Sequence, residues 1–566
     1  MHGYATDPRA LPSRATDPSP LSFDSTTSST RLEFSVLSDA TIIVLLTYYD
    51  QTAISCFVFH IRSKWPTSSC LVSAERQSIH ISAISHHLAP ISGSIEKHES
   101  PIAAAWRELK EETTLTAQDV TLWRQGKPFT FADTEVGRQW TIYPFSFRLT
   151  NLTDGGRGEA GIQIDWEHER WNWYQPDQVI GDENLGGVPR LTDSLRRVWF
   201  EGDLVEAASR ALQSGLEQLQ TDHVSGSHEL TAVALRTFRN VLIHLENDPT
   251  WWESARMAAW HLWKNGRESM GSATLNAILG VLAEIDDIRN QEIDKRPTWN
   301  RILAVVDHHL QDRTTMPSRI KDSFVAYLQT NFLSTAQSQN QDKLTILTLS
   351  ASSTIRDSII DAFAALPLTY LDLRVLESRP LCEGVTMASS LLEAFKSRFP
   401  ASAGRYFQLQ IFTEASAALA STDVDFVLLG ADCIASSGAV SNKAGSLPAA
   451  LSAKHVSSKS KALIFSGLEK VAEPEEEENR EPEENDGREV MALWMNGGKE
   501  GLDLLMEGLQ GKAPNCTVQV KNTYFEWVPA TLIDAYICEE GALDAAAIRN
   551  KASQVKENTD RYFGLL

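Results

Sequence analysis

Between Gly93 and Leu115 the chain reads GSIEKHESPIAAAWRELKEETTL, and few backbone arrangements satisfy all of it. Ser100 and Pro101 make a favourable helix start: a hydroxyl that can accept from an unsatisfied N–H, then a proline whose missing N–H costs nothing in the first turn. The spacing predicts a helix through AAAWRELKEE. Glu108 and Glu112 are four residues apart and Glu111 is three beyond Glu108, so the carboxylates share one side while Ala104, Ala105 and Leu109 turn to a core. Carboxylates held this close repel one another at neutral pH, and a hard divalent cation is the usual compensation. Glu108, Glu111 and Glu112 are therefore the candidate ligands of Mg2+, with Mn2+ as the alternative. Glu99, in the preceding loop, is placed to add a ligand or accept a proton, and Arg107 to pair with a carboxylate and fix its rotamer. An ordinary solvated acidic face would explain neither Gly93 nor Glu99 at its distance. Thr114 follows the helix where glycine would most readily adopt a left-handed turn. A β-branched residue pays for that conformation, so a rebuilt turn is the expectation.

With 566 residues, 42% hydrophobic and 22% charged, the chain has the size and composition of a soluble protein of two or three domains. The net charge of −22 argues against nucleic acid or an anionic membrane as main partner. Some of that charge is local. EPEEEENREPEENDGRE, Glu473–Glu489, reads as a disordered acidic loop within about 471–489, with a plain solvated insertion as its bland reading. Cys56, Cys70, Cys382, Cys433, Cys516 and Cys538 show no paired spacing, so neither a zinc site nor a disulfide framework is indicated and a reducing, cytoplasmic setting is expected. Residues 1–30 are rich in Ser, Thr, Pro and Asp and read as disordered, without the apolar stretch of a signal peptide. The apolar run Ala40–Leu46 is far short of a membrane span and suits a buried strand.

Leu32–Leu46 and Ile54–Ile61 are predicted strands, as is Trp140–Leu149, rich in β-branched and aromatic residues. The segment Leu71–Leu88 fits this pattern poorly. Helical periodicity takes over near 200, in LVEAASRALQSGLEQLQ, LTAVALRTFRNVLIHL, SATLNAILGVLAEI and WNRILAVVDHHL. From about 336 short apolar runs (LTILTL, YLDLRVL, YFQLQIF, DFVLLG, KALIFS) alternate with helical stretches. That alternation predicts a parallel, doubly wound sheet, with ligands beyond the carboxyl ends of its strands.

The segment 93–115 resembles the Nudix signature at every fixed position but Thr114, which implies a magnesium-dependent diphosphate hydrolase with an α/β/α sandwich over about 31–200. Three later motifs, VLESRPLCEG (375–384), LLGADCIASSGAVSNKAGS (428–446) and YFEWVPATLIDAYICEEGAL (524–543), resemble a second family. It joins the regulatory alpha, beta and delta subunits of initiation factor two-B to two sugar-phosphate isomerases, acting on methylthioribose 1-phosphate and ribose 1,5-bisphosphate. The resemblance implies linker helices over 201–227, a helical subdomain over 228–335 and a Rossmann-like domain over 336–566. The whole resembles a fungal fusion of the two families.

The second resemblance also implies a pocket. Asp432 matches the isomerases' catalytic Asp, while their Cys position falls on Ser350, whose hydroxyl is a far poorer acid–base group near pH 7. Arg379 matches the Arg-Pro that grips a substrate phosphate, and Asn442 and Lys443 match an Asn-Lys pair at the same pocket. The plain alternatives are that Asp432 caps a helix, that Arg379 pairs with Glu377 or Glu383, and that Asn442-Lys443 makes a turn. Three expectations follow. The favoured one is a hydrolase of a nucleoside diphosphate derivative whose carboxyl-terminal half binds a sugar phosphate or nucleotide and dimerises. The others are an interaction protein partnering initiation-factor subunits and a sugar-phosphate isomerase using Ser350.

Overall fold

The computed structural model describes residues 38–50, 53–61, 88–134, 137–181, 187–188, 190–222, 225–267, 271–291, 299–334, 342–400, 404–474, 485–496, 501–512 and 515–566. The amino-terminal thirty residues and most of Leu71–Leu88 lie outside them.

The first sheet holds β1 (Ser38–Asp50), β2 (Ala53–Ile61), β3 (Leu88–Ala89), β4 (Ile91–Ser94), β5 (Val120–Gln125), β6 (Phe129–Asp133), β7 (Arg138–Leu149) and β8 (His168–Tyr174). Its main path runs β3-β2-β1-β7-β5, with β1 and β7 parallel along Ser38–Thr47 and Gln139–Arg148. The strand expected at 32–46 is thus described from Ser38 and extends to Asp50. Side chains of β7 alternate faces with the period of two of a strand. Tyr143, Phe145, Phe147 and Leu149 pack on α1 (Pro101–Thr113) through Ala104, Ala105 and Leu109. Trp140 and Ile142 pack on the other side with Leu191, Leu195 and Val198 of α3 (Leu191–Val198), which follows the short helix α2 (Pro176–Gly181). Helices therefore cover both faces of a mixed sheet, the sandwich the sequence predicts.

Five helices come next: α4 (Glu206–Thr221), α5 (Ser227–Ile243), α6 (Trp251–Lys264), α7 (Gly271–Gln291) and α8 (Trp299–Leu328). The linker expected at 201–227 is no free spacer, because Leu212, Leu216 and Leu219 of α4 are buried in one cluster with Phe238, Trp260, Leu282 and Val306. Val555, Tyr562 and Phe563 of the last helix, Ala545–Phe563, enter that same cluster and tie the chain's end to its middle.

The second large sheet contains β9 (Lys343–Leu349), β10 (Tyr370–Leu376), β11 (Tyr406–Phe412), β12 (Phe426–Gly430), β15 (Lys461–Phe465), β17 (Ala535–Cys538) and β18 (Gly541–Leu543), in the order β11-β10-β9-β12-β15-β17-β18. All neighbours are parallel except β17 and β18. The order reverses between β9 and β12, which creates the crevice where such sheets bind ligands. A small antiparallel sheet of β13 (Cys433–Ile434), β14 (Val440–Lys443) and β16 (Phe525–Val528) stands beside it. The acidic segment is shorter than the sequence suggests. Val471, Ala472 and Glu473 are buried, with Ala472 N–H donating to the Ile434 carbonyl, and a helix begins at Gly487. Among the described residues, no helix is long and apolar enough to cross a membrane.

Candidate functional site

α1 begins as its sequence predicts, with the Ser100 hydroxyl accepting from Ala103 N–H at 3.3 Å. It ends on Thr114 in the left-handed conformation, φ 62°, with Thr114 N–H donating to the Lys110 carbonyl. The turn is retained, not rebuilt. Its cost is offset locally: Thr114 Oγ1 donates to the Gly161 carbonyl at 3.3 Å, and the Thr114 carbonyl accepts from Arg157 Nη2 at 2.7 Å. Arg157 is itself clamped by Asp119, whose carboxyl this contact holds far below the usual range. Thr114→Gly should stabilise the protein by about 1 kcal/mol or less, because relief of the left-handed strain exceeds the loss of one long, part-buried hydrogen bond and of chain stiffness. Thermal unfolding of the two proteins tests this, and a lower midpoint for the glycine variant would refute it.

Arg107 organises the acidic helix face. Its guanidinium donates to Glu99 twice, at 3.0 and 2.9 Å, to Glu108 at 2.6 Å, to Glu111 at 3.5 Å and to the Ser94 carbonyl at 3.0 Å. Glu99 also accepts from Glu96 N–H at 3.0 Å, and these donors hold its carboxyl below the ordinary range. Glu99 thus supports Arg107 by a two-pronged contact. Gly93 has a separate task, since a Cβ there would lie 1.8 Å from Glu108 Oε1. The missing side chain is the room into which the Glu108 carboxylate fits.

Glu108 and Glu112 point to the sheet while Glu111 is turned outward, its side chain 61% exposed. Burial, opposed by Arg107, pushes the Glu108 carboxyl up. Glu112 is driven further, to about 9, by burial first and then by the charges of Glu108, Asp165 and Glu167. Asp165 and Glu167 belong to the turn before β8 and were not among the residues expected at the site. His168 completes that turn, with Nδ1 2.7 Å from Asp165 Oδ1 and Nε2 3.3 Å from Glu112 Oε2. If Nδ1 donates to Asp165, Nε2 is left as an acceptor for a protonated Glu112, which agrees with its raised pKa. Partial burial and the Asp165 charge push Glu167 up as well. Among the described residues no three such groups converge closely enough to hold a metal ion. The donor chemistry nevertheless fits a hard dication: burial first, and then acidic neighbours, push Glu108, Glu112 and Glu167 up, and a bound cation would let these carboxyls ionise.

The residues singled out in the carboxyl-terminal half gather at the reversal of strand order. Ser350 follows β9 with φ 60°, its N–H donating to Ser378 Oγ at 2.7 Å and its hydroxyl 3.5 Å from Glu383 Oε2. Asp432 follows β12, its N–H donating to the Ser441 carbonyl. Asn442 is buried and donates to Ser446 Oγ at 2.8 Å. The two cations expected to meet a phosphate are engaged by carboxylates of the protein itself. Arg379, 56% exposed, pairs with Glu377, and Lys443 lies 3.2 Å from Glu383 Oε1 and over the rings of Tyr524 and Phe525. The hollow lined by Ser378, Arg379, Glu383, Lys443 and Tyr524 has about 10 Å³ of room, enough for roughly one water molecule.

Two protein families match the chain: the NUDIX domain over residues 53–196 and the Initiation factor 2 subunit family over residues 319–545. A curated relative, bis(5'-nucleosyl)-tetraphosphatase [asymmetrical] from Caenorhabditis elegans, is 26% identical over 95 residues, 17% of this chain. The chain spans only 63% of that relative's length. Among solved structures, the translation initiation factor eIF-2B of Pyrococcus horikoshii OT3 is 17% identical with a TM-score of 0.40, covering 60% of this chain and 98% of that one. eIF2B beta of Chaetomium thermophilum is 13% identical with a TM-score of 0.41, covering 62% and 93%. The 5-methylthioribose 1-phosphate isomerase of P. horikoshii OT3 is 16% identical with a TM-score of 0.39, covering 61% and 87%.

Proposed function

Because the chain joins a NUDIX domain to a domain of the Initiation factor 2 subunit family, we propose that it is a Mg2+-dependent hydrolase of a nucleoside diphosphate derivative. In this reading its carboxyl-terminal half is a non-isomerising regulatory or assembly domain. The observation that carries the reading is the pair of carboxyls on α1 that burial pushes up, Glu108 held in place by Arg107 and Glu112 buried behind it.

Bound at Glu108, Glu112 and Glu167, with Glu111 at the rim, Mg2+ or Mn2+ would neutralise charge on the diphosphate oxygens and lower the pKa of a water. The chain's own residues do the rest. Arg107 fixes the rotamer of Glu108, and Glu99 fixes Arg107 by a two-pronged contact. Glu111, solvent-facing and held only loosely by Arg107, is the carboxylate free to accept a proton from an attacking water. The His168–Asp165 pair gives the Glu112 proton somewhere to go when the carboxyl ionises.

In the carboxyl-terminal half, a phosphorylated ligand would have to draw Lys443 away from Glu383 and Arg379 away from Glu377. Ser350 cannot readily shuttle protons at neutral pH, and its hydroxyl lies 3.5 Å from Glu383 Oε2. Dimerisation through this half, or assembly with initiation-factor subunits, belongs to the same proposal.

The test is turnover of a panel of nucleoside diphosphate derivatives with and without Mg2+. Dinucleoside polyphosphates belong in the panel because of the enzyme named for the worm relative. Metal-dependent release of phosphate or nucleotide is expected for at least one compound. No turnover across the panel with either Mg2+ or Mn2+ would reject the reading.

A further inference from the structure

Open parallel sheets take anionic ligands beyond their strand ends at a reversal of strand order, commonly where a helix begins with its first N–H groups free. In the carboxyl-terminal half the helix Ser446–Val456 begins at that place, just past Lys443 of β14. Its first N–H groups are already taken. One carboxylate oxygen of Glu526, Oε1, accepts from Gly445 N–H at 2.6 Å and from Leu447 N–H at 3.0 Å. The small sheet fixes it there, because β16 pairs with β14 in a register that sets Glu526 opposite Asn442.

The other donors at the reversal are met in the same way. Ser378 N–H donates to Glu414, Arg379 Nε pairs with Glu377, Lys443 Nζ lies 3.2 Å from Glu383 Oε1, and the Tyr524 hydroxyl donates to Glu489. These contacts share one place, since Ser378, Arg379, Glu383, Lys443, Ala444 and Tyr524 line a single hollow of about 10 Å³. The helix start adjoins it. A Cβ on Gly445 would stand 2.9 Å from Cγ of Glu414, the residue that accepts from Ser378 N–H. All five carboxylates are half-buried, and they come from the segments after β10 and β11, the start of the helix Glu383–Arg398, the helix Gly487–Asn496 and β16. Ordinary helix capping would account for Glu526 alone. It would not account for the matching capture of a guanidinium, an ammonium, a hydroxyl and a further backbone N–H around the same hollow.

Two N–H groups at a helix start, a third from a nearby loop, an ammonium and a hydroxyl make a donor set suited to a tetrahedral oxyanion. Here those donors have acceptors that belong to the chain. Being tethered, the carboxylates compete at an effective concentration that a dissolved anion must exceed before it can replace them.

We propose that the pocket at the strand-order reversal is an oxyanion site kept shut by the chain's own carboxylates, with Glu526 in the seat of a phosphate and Glu383 holding Lys443 back from it. A phosphate enters only by displacing Glu526. The carboxyl-terminal half therefore keeps one arrangement as phosphate level varies, which suits a domain used for assembly. This adds to the reading of that half as non-isomerising and stands apart from the hydrolase centre, whose own test is turnover with metal.

The test uses the full chain in EDTA at constant ionic strength, with inorganic phosphate added against chloride and binding followed by calorimetry and thermal shift. Glu526→Ala frees both N–H groups and empties the space of a carboxylate, so it should bind phosphate at least about tenfold more tightly than the parent protein. Glu383→Gln keeps the shape of the wall while releasing Lys443, and should shift affinity in the same direction by a smaller factor. Adding Lys443→Gln to either variant should remove the gain, which assigns the phosphate to this pocket. Circular dichroism checks that each variant folds; should Glu526→Ala fail to, the near-isosteric Glu383→Gln decides the matter. Equal phosphate affinity in the parent and the variants would overturn the proposal, as would a gain that survives Lys443→Gln. Tight binding by the parent that Lys443→Gln abolishes would also overturn it, by showing an open site.

Discussion

Gly93→Ala should lower kcat/KM of the hydrolase by at least about 100-fold while leaving the fold in place, because the added methyl lands on Glu108. Its Cβ would stand 1.8 Å from Oε1, 2.1 Å from Cδ and 2.6 Å from Cγ of that residue. No backbone atom is among these contacts, so the strand need not move. The flexible end of Glu108 must swing away instead, breaking its 2.6 Å contact with Arg107 and removing a carboxylate from the buried group. Steady-state kinetics beside a thermal melt make the test. Turnover within twofold of the parent protein would show that Glu108 has no role in the reaction, and loss of the melt itself would show that Gly93 serves the fold.

Glu112→Gln should act on activity and stability in opposite directions. Turnover should fall by about 100-fold or more, since the amide can neither ionise nor serve as an anionic ligand. In metal-free protein the same change should be stabilising at alkaline pH. The sign follows from linkage. A carboxyl whose folded pKa is raised from 4.5 to about 9 contributes stability that is fully present below about 4.5 and is lost as pH rises through about 9. The glutamine variant has no such loss. Its unfolding midpoint in EDTA should therefore vary less between pH 5 and pH 9 than that of the parent, with the gap widening as pH rises. Parallel pH profiles for the two proteins would refute the account of Glu112.

Much of the acidic helix was legible because its constraints are local. Ser100, Pro101, the apolar face and the relation of Glu99 to Arg107 all depend on spacing along one stretch of chain. The spacing also brought Arg107 to a carboxylate, and the structure shows Glu99 as the residue that grips it twice. Asp165, Glu167 and His168 escaped notice because they reach Glu112 only after the chain has crossed the sheet several times. At most the run of charged residues before the strand at 168–174 could have hinted at them. Thr114 is a subtler case. The strain was foreseen, but the Gly161 carbonyl and the Arg157 guanidinium that make it tolerable come from a distant loop.

In the carboxyl-terminal half the alternation of apolar runs and helices gave the sheet, and the strand order brings Ser350 and Asp432 to its reversal as expected. Of the readings offered for Arg379, pairing with Glu377 is the one the structure shows. The engagement of Lys443 by Glu383 was invisible in sequence, since it joins a strand of the small sheet to a helix start some sixty residues earlier.

The sheet edge at β5 also bears on how this chain avoids sticking to itself. β5 ends the main path of its sheet, and an open edge strand is a template on which another chain can add a strand. Here the carboxamides of Asn265 and Gln220 take up backbone groups of Trp123 and Gln125 along that edge, and Arg124 finds its counter-charge in Glu201. The helical region acts as an edge guard. A hydrolase domain cut free near residue 200 would expose those backbone groups and strip Arg124 of Glu201, leaving the edge of the sheet open to pairing.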